Sequence, residues 1–339
     1  MNRAIGIIGN GSIGKSFASQ ALDYGDTVIM VVRKEEERIK LKASGLTVIA
    51  KDKHIVLFPV DDKFVIVSSI KELQEFQLNA VLIATKTTVL SKLTDALVLL
   101  LNHQATIEKP FPILLAQNGM GNEEQLGLCK YKQLDNCYHI IPIVVLLAAE
   151  LKSKNVVKII ADLPQFIAPL PSKINKSSVP LFCEINPGKH LNLTFQQMDS
   201  QHEFDKKRYT KVIMNSVVGG LSVETHRVMK NIFKDKDGNI LEKESQIAVN
   251  LIAEGILIAR KNKVDLTEQD GIKMHTFLIN NTVDHHPSLY QDWSNGLETE
   301  IESLNGWFVK QGNLLNIDTP CQLHYYNLVR QGKKDLISK

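Results

Sequence analysis

The sequence predicts an α/β protein, with strands and helices alternating in its first part and helices alone in its last part. Three observations support this prediction. An apolar run at residues 4–8 leads directly into a glycine-rich pattern. Further apolar runs, typical of parallel strands buried on both faces, alternate with helical segments along roughly the first two thirds of the chain. From Asp205 onward, apolar residues recur at the three- and four-residue spacing of amphipathic helices.

The glycine-rich pattern reads Gly9-Asn10-Gly11-Ser12-Ile13-Gly14 and lies between the first predicted strand and a helix predicted over residues 16–24. The first glycine permits a tight turn, the second lets the backbone approach a pyrophosphate, and the third lets the helix lie close to the strand. Unpartnered N–H groups at the helix N-terminus favour an anion. A second strand at residues 27–32 completes a βαβ unit, so we expect these six residues to bind a dinucleotide and not to form a purely structural turn.

The residues after the second predicted strand favour a phosphorylated cofactor. NAD-binding units usually carry Asp or Glu here, on the adenosine ribose, whereas an arginine accommodates a 2′-phosphate. This chain has Arg33 followed by Lys34, which favours NADPH. One alternative stays open, because residues 33–40 are also consistent with a solvent-exposed helix start of mixed charge. In addition, the carboxylates of Glu35 to Glu37 would repel a 2′-phosphate if they turned inward.

Composition narrows the class of protein. A chain of 339 residues that is 44% hydrophobic and 23% charged can bury two medium-sized cores. A net charge of +3 is too close to neutral to favour nucleic acid or an anionic membrane as a partner. No apolar run is long enough to cross a membrane and the first strand begins too early for a signal peptide, so we expect a cytoplasmic location. The four cysteines lack disulfide or metal-site spacing and are expected to be reduced thiols: Cys129, Cys137, Cys183 and Cys321.

Two further strands are predicted at residues 79–85 and 111–116. Polar residues follow both, with Lys86 after the first strand and the run 117–122 after the second. Ligands of open α/β sheets bind outside the carboxyl ends of the strands. These positions are therefore candidate cofactor and substrate contacts, although the pair Asn118-Gly119 is also typical of a simple turn.

Helices are predicted over residues 206–218, 242–261, 271–282 and 299–311, and a β-rich segment at 46–69 is expected within or beside the main sheet. The change from alternation to consecutive helices indicates a domain boundary near residue 197. We therefore expect a Rossmann-type dinucleotide-binding domain over residues 1–197, followed by an all-helical C-terminal substrate and catalytic domain over 198–339.

One stripe of the helical half could carry chemistry. Lys211, Asn215 and Gly219 recur every fourth residue, so they share one face of a helix. The pattern alone favours the alternative, a solvent-facing stripe with an ordinary surface lysine. Ser288 follows Pro287 and is as consistent with a helix N-cap as with a ligand contact.

Two other groups of polar residues occur in this half. Spacing alone does not choose among the carboxylates of Glu298, Glu300 and Glu302. The adjacent His285 and His286 point in different directions and have no suitably spaced cysteine or carboxylate, so we expect no metal site.

Four separated segments resemble the ketopantoate reductases (2-dehydropantoate 2-reductases). The most specific is the segment from Ser288 to Gly306, because the family has a serine, then Gln-Asp, then Thr-Glu-Ile and an acidic residue, then Asn-Gly at this spacing. The segments span nearly the whole chain in the family's order. The other three are Ile7 to Gly14, Leu82 to Thr87, and the run Ala116-Gln117-Asn118-Gly119-Met120-Gly121-Asn122-Glu123.

The resemblance implies a role for each matching residue. Lys211 and Glu300 match the family's catalytic lysine and active-site glutamate, and Asn118, Asn215 and Ser288 match substrate contacts. Lys211 would stabilise the alkoxide that forms when hydride reaches the C2 carbonyl of ketopantoate, and would pass it a proton. The implied cofactor contacts are the glycine-pattern residues 9–14 together with Arg33, which would hold the 2′-phosphate of NADPH, Lys86, Asn118 and Glu300.

The implied function is NADPH-dependent reduction of ketopantoate in pantothenate, and hence coenzyme A, synthesis. The implied partner is a small 2-oxo acid, and a homodimer is left open. Departures from the family pattern keep two alternatives open, because Gly219 and His285 both replace a frequent asparagine, and residues 140–168 lack an expected glycine-rich pattern. One alternative is another 2-oxo acid as substrate. The other is a non-catalytic NADPH sensor, which would have no need of an intact Lys211.

Overall fold

The computed structural model describes residues 3–174, 190–191 and 193–337. The chain divides into two compact units. The first unit contains Met1–Gln117 and Asn122–Phe204, and the second contains Asn118–Gly121 and Asp205–Lys339. Cys183 lies outside the described residues, and the other three cysteines are free thiols.

The first unit is built on a mostly parallel sheet. Its strands are β1 (Ala4–Ile8), β2 (Thr27–Val31), β3 (Leu46–Ile49), β4 (Ile55–Phe58), β5 (Phe64–Val67), β6 (Ala80–Ile83), β7 (Phe111–Leu115), β8 (Tyr138–Val144), β9 (Leu147–Ser153), β10 (Val156–Asp162), β11 (Gln165–Ile167) and β12 (Phe195–Gln197). Among the described residues the main sheet has the order β12-β11-β8-β7-β6-β1-β2-β5. The run from β5 through β2, β1, β6 and β7 to β8 is parallel, and β11 pairs antiparallel with β8. This order and the preceding βαβ start confirm the predicted α/β class.

The helices of the first unit are α1 (Ser12–Asp23), α2 (Glu35–Ser44), α3 (Thr94–Gln104) and α4 (Asn122–Gln125). The β-rich segment contributes β5 to the main sheet, whereas β3 and β4 join β9 and β10 in a second sheet with the order β4-β3-β10-β9. This second sheet packs over α1. Phe17 of α1 and Val157 and Ile159 of β10 accordingly belong to one apolar core.

The second unit contains α5 (Gln201–Thr225, whose first turn belongs to the first unit), α6 (Glu242–Lys261), α7 (Glu268–Ile279), α8 (Ser288–Ser294), α9 (Asn305–Leu315) and α10 (Pro320–Ile337). The predicted all-helical class of this half is confirmed, and α6 has the predicted limits. The segment predicted as one helix over 299–311 differs. It forms a 3-10 turn at Ile301–Ser303 and then α9, because Leu304 between them has non-helical dihedral angles (φ −108°, ψ −107°).

The two units divide between Phe204 and Asp205, whereas the boundary expected from the sequence lay near residue 197. Phe204 is fully buried in the apolar core of the first unit, so the first turn of α5 belongs with that unit. No helix among the described residues is long and apolar enough to cross a membrane.

Candidate functional site

The glycine turn after β1 depends on two close backbone approaches. Gly9 has φ +121°, and a Cβ there would stand 2.5 Å from the carbonyl carbon of Ala84. A Cβ on Gly14 would stand 1.8 Å from the Gly9 carbonyl oxygen. Any side chain at either position would therefore push α1 or β6 away from the turn.

The same turn fits a dinucleotide. A Cβ on Gly11 would meet nothing within 4 Å, so this side of the turn is open, and no side chain caps the α1 N-terminus. The hydroxyl of Thr85, beyond β6, is buried without a hydrogen-bond partner among the described residues, as are both amide atoms of Gln117, beyond β7. Buried polar atoms normally have partners. The carboxyl edge of the sheet thus offers N–H groups and unmet polar atoms to a polar ligand.

The charged residues beyond β2 have different surroundings. Arg33 is exposed and makes no hydrogen bond or ion pair with the described residues. Glu35 pairs with Arg38 and Glu36 with Lys154. Glu37 instead turns inward, where its carboxylate accepts a hydrogen bond from the Asn10 side chain. One of the three carboxylates that would repel a phosphate therefore does lie at the glycine turn. Lys86, also among the predicted cofactor contacts, is exposed and directly precedes the 3-10 helix Thr87–Lys92.

In the second unit, the structure brings together three of the predicted site residues. The Lys211 ammonium on α5 donates a hydrogen bond to Oδ1 of Asn118 at 2.7 Å. The other end of the same amide, Nδ2 of Asn118, lies 3.5 Å from Oε2 of Glu300. The amide therefore lies between an ammonium that needs an acceptor and a carboxylate that needs a donor, which defines its orientation.

Lys211 is partly buried, and this burial lowers the pKa of its ammonium to about 8, while the negative charge of Glu300 acts in the opposite direction. Desolvation disfavours the charged form of a lysine, and a carboxylate favours it. A lysine with a pKa near neutrality can give up a proton far more readily than an ordinary surface lysine.

The structure separates the three carboxylates that spacing could not distinguish. Glu300 is half-buried beside Asn118, and it directly precedes the 3-10 turn Ile301–Ser303. Glu298 is exposed. Glu302 is exposed as well, and it accepts hydrogen bonds from the Tyr326 hydroxyl at 3.0 Å.

Asn118 reaches this position through a backbone interaction that the sequence did not reveal. Gly119 has φ +86°, and a Cβ there would stand 2.4 Å from the carbonyl oxygen of Ser303. The N–H of Met120 donates a hydrogen bond to the same carbonyl at 2.9 Å. The interpretation of Asn118-Gly119 as a simple turn therefore misses its docking beside Glu300.

The remaining candidates lie further along α5 and at the start of α8. Asn215 is half-buried and its amide has no hydrogen-bond partner among the described residues, while Gly219 is buried. The stripe is therefore not a solvent-facing one. Ser288 is exposed and is the first residue of α8 after the N-cap Pro287, so the N-cap interpretation of Ser288 is wrong. The Leu289 side chain comes 3.3 Å from the position of a Cβ on Gly219.

The adjacent histidines have local contacts. Nδ1 of His285 lies 2.9 Å from the His286 carbonyl oxygen, and the His286 ring stacks on Tyr290 with centroids 4.0 Å apart. Within residues 3–174, 190–191 and 193–337, no group of three histidine, cysteine or acidic side chains is placed to hold a metal ion.

Comparison with known proteins gives matches over both units. A family model described as ketopantoate reductase PanE/ApbA matches residues 5–168, and one described as ketopantoate reductase PanE/ApbA C terminal matches residues 203–333. No curated protein matches the chain.

Solved structures share the fold at low identity. A PanE/ApbA family ketopantoate reductase from Ralstonia eutropha JMP134 is 19% identical, with a TM-score of 0.75 over 98% of this chain and 99% of that one. D-mandelate dehydrogenase with NADH and anilino(oxo)acetate is 20% identical, with a TM-score of 0.76 over 98% and 99%. A dimeric ketopantoate reductase from Staphylococcus aureus is 16% identical, with a TM-score of 0.70 over 98% and 99%.

The two family models occur in order along the chain, and the residues they match include the glycine turn as well as Lys211, Asn118 and Glu300. The chain belongs to the ketopantoate reductase PanE/ApbA family of oxidoreductases.

Proposed function

We propose that the protein is an NADPH-dependent 2-dehydropantoate 2-reductase, which reduces ketopantoate to pantoate in pantothenate and coenzyme A biosynthesis. The observation that carries this proposal is the hydrogen-bonded chain from Lys211 through Asn118 to Glu300 in a member of this family. The open side of Gly11 at an uncapped helix N-terminus supports the cofactor part of the proposal.

Lys211 acts as the proton donor in the proposed reaction. When bound, the reduced nicotinamide cofactor supplies a hydride to the C2 carbonyl carbon of the substrate. The carbonyl oxygen gains negative charge as the C–H bond forms, and the Lys211 ammonium stabilises that charge and transfers a proton to the oxygen. The lowered pKa of about 8 supports this role, since a donor works best when its pKa lies near the working pH.

Asn118 and Glu300 orient the Lys211 ammonium and favour its protonated form. Oδ1 of Asn118 holds one ammonium hydrogen and so directs the others. The Glu300 carboxylate keeps part of the Lys211 population protonated. The amide of Asn215, which has no hydrogen-bond partner in the described part of the chain, and the exposed hydroxyl of Ser288 are available to the substrate's carboxylate and hydroxyl groups.

The proposed cofactor residues are Gly9 to Gly14 for the diphosphate, Arg33 for the 2′-phosphate, and Lys86, Asn118 and Glu300 for the remaining polar groups. The guanidinium of Arg33 is exposed and has no ion-pair partner among the residues that the structure describes, which favours NADPH. The inward-facing Glu37 favours NADH, because a carboxylate repels the extra phosphate. NADH is accordingly the alternative cofactor.

A second candidate function is the reduction of a 2-oxo acid with an apolar side chain. Leu289 packs over Gly219, and Leu289 and Met120 belong to one apolar core. The surroundings of the α5 stripe are therefore apolar at its Gly219 end. The likeness to D-mandelate dehydrogenase also supports this alternative. We favour ketopantoate because both family models carry that description.

Steady-state oxidation of NADPH and NADH with a panel of 2-oxo acids tests the proposal. The panel contains ketopantoate, a branched 2-oxo acid that lacks the 4-hydroxyl, and an aryl 2-oxo acid. We expect the highest kcat/KM with ketopantoate and NADPH. A higher value for either of the other acids would overturn the ketopantoate assignment, and tight cofactor binding without turnover of any acid would favour a sensor.

We also propose a homodimer, as in the Staphylococcus aureus relative, and the cytoplasm as its location. Light scattering coupled to size-exclusion chromatography tests the dimer, and a mass of one chain at micromolar concentration would contradict it.

A further inference from the structure

Lys15, the residue after Gly14, is almost completely buried. Only 1% of its surface is exposed. Its ammonium donates a hydrogen bond to the carbonyl of Asn10, and its backbone N–H donates to the Gly11 carbonyl at 3.0 Å. Lysine is rarely buried to this extent, and the first turn of a helix is the end at which the macrodipole disfavours a cation. The ammonium therefore has an energetic cost that packing alone does not explain.

Asn10 connects this ammonium to a carboxylate. While the Asn10 carbonyl accepts from Lys15, the Asn10 side-chain amide donates to Glu37 in the first turn of α2. Glu37 is itself largely buried, with 18% of its side chain exposed, and Nζ of Lys34 lies 3.8 Å from its other oxygen. The glycine turn is thus held between a buried cation on α1 and a carboxylate on α2.

No other charged group among the described residues competes for Lys15. Strands β1, β2 and β3 beside α1 contain no charged residue. Strand β10 turns Val157 and Ile159 toward the core, and its Asp162 pairs with Lys51. Lys158 alternates with these two core residues and so lies on the opposite face of β10. On β9, Glu150 and Lys152 are exposed and pair with each other.

We propose that Lys15 is a positioning residue of the dinucleotide site, whose buried ammonium holds the Asn10 carbonyl and offsets the Glu37 carboxylate so that the glycine turn can accept an anionic diphosphate. This inference rests on the cofactor part of the proposed function. Burial excludes direct contact between Lys15 and a ligand, so the lysine acts through the turn and through its charge. Its effect is larger for NADPH than for NADH, because NADPH has one more phosphate to be repelled by Glu37 when the Lys15 charge no longer offsets that carboxylate.

The proposal predicts that cofactor affinity depends on pH. Burial lowers the pKa of Lys15 to about 8, and Glu37 acts in the opposite direction. A bound diphosphate favours the charged form, so cofactor affinity is high where Lys15 is protonated and falls as the pH rises above about 8. Substitution of Glu37 by glutamine removes the charge that favours protonation and moves this fall to lower pH.

Fluorescence titration of NADPH and NADH, which measures binding without turnover, provides the test. The variants are Lys15→Met, Glu37→Gln and the double variant, with Lys71→Met as a control that removes an exposed lysine of the same unit. We expect Lys15→Met to weaken NADPH binding by about tenfold, the effect of one charged contact, and NADH binding by less. Glu37→Gln should restore most of the loss in the double variant, and Lys71→Met should bind as the wild type does.

The same titrations between about pH 7 and pH 10 give the second readout, because this range includes the lowered pKa. We expect NADH affinity to fall with pH in the wild type, to fall at lower pH in Glu37→Gln, and to show no such fall in Lys15→Met. Binding and pH profiles of Lys15→Met equal to those of the wild type would overturn the inference. If Lys15→Met does not fold, identical pH profiles for Glu37→Gln and the wild type would overturn it. A wild type that binds neither cofactor would contradict the proposed function itself.

Discussion

Nζ of Lys211 and Oδ1 of Asn118 are 93 residues apart in sequence and 2.7 Å apart in the structure. The hydrogen bond forms because Asn118–Gly121 packs with the second unit although the residues on both sides of it belong to the first. Glu300 completes the arrangement from the far side of the amide. An ammonium with a dedicated acceptor and a nearby carboxylate is held in a defined position, unlike that of an ordinary surface lysine.

The pH dependence of kcat/KM should report Lys211. The group must be protonated to donate, so activity should decline as the pH rises past its lowered pKa of about 8. Glu300 raises this pKa, and Glu300→Gln should therefore shift the decline to lower pH. The exposed Glu302 is a matched carboxylate, and Glu302→Gln should leave the profile unchanged. Identical profiles for the wild type and Glu300→Gln would show that Lys211 is not the titrating group.

Burial of Lys211 should also lower the free energy of unfolding at neutral pH. The native pKa is about 8 against 10.5 for an ordinary lysine, so the unfolded chain binds more protons between these values and stability rises with pH across that window. Each unit of pKa shift corresponds to about 1.4 kcal/mol, which sets an upper limit of about 3 kcal/mol at pH 7. We expect Lys211→Met to melt at a higher temperature than the wild type at pH 7, with a smaller difference above pH 10.

The control for this comparison is Lys310→Met, which removes an exposed lysine of the same unit and should have little effect. A lower melting temperature for Lys211→Met at pH 7 would mean that its contacts with Asn118 and Glu300 outweigh the cost of burial.

The glycine turn offers a matched pair of substitutions. Gly14→Ala places a Cβ 1.8 Å from the Gly9 carbonyl oxygen and should lower the melting temperature as well as cofactor affinity. Gly11→Ala meets no protein atom within 4 Å, so its melting temperature should match the wild type. Its cofactor affinity should still fall, because the methyl group occupies the space proposed for the diphosphate. Unchanged affinity in Gly11→Ala, measured by nicotinamide fluorescence, would place the diphosphate elsewhere.

Much of the fold followed from local patterns. The strand before the glycine turn, the apolar runs that became β6 and β7, and the limits of α6 depend on burial and periodicity, which the sequence displays directly. The second sheet was less predictable, because β3 pairs locally with β4 but finds its other partner in β10, about a hundred residues later. The break at Leu304 was not predicted, because it falls on an apolar residue that fits the helical periodicity.

The candidate site was likewise predictable only in part from the sequence. Residue types and the family resemblance were sufficient to nominate Lys211, Asn118 and Glu300. Spacing could not choose Glu300 over Glu302, because both belong to the same short run of alternating acidic residues and only tertiary packing places one beside Asn118. Lys15 escaped notice because a lysine on an amphipathic helix is normally exposed, whereas this one is almost completely buried.

The most direct test of the account measures NADPH oxidation with ketopantoate and NADPH binding in parallel, for the wild type, Lys211→Ala and the control Lys310→Ala. We expect Lys211→Ala to lower kcat by roughly two to four powers of ten, the usual contribution of a general acid, with NADPH affinity close to that of the wild type. Lys310→Ala should turn over normally. A Lys211→Ala variant that retains wild-type kcat would contradict the assignment of Lys211 as the proton donor.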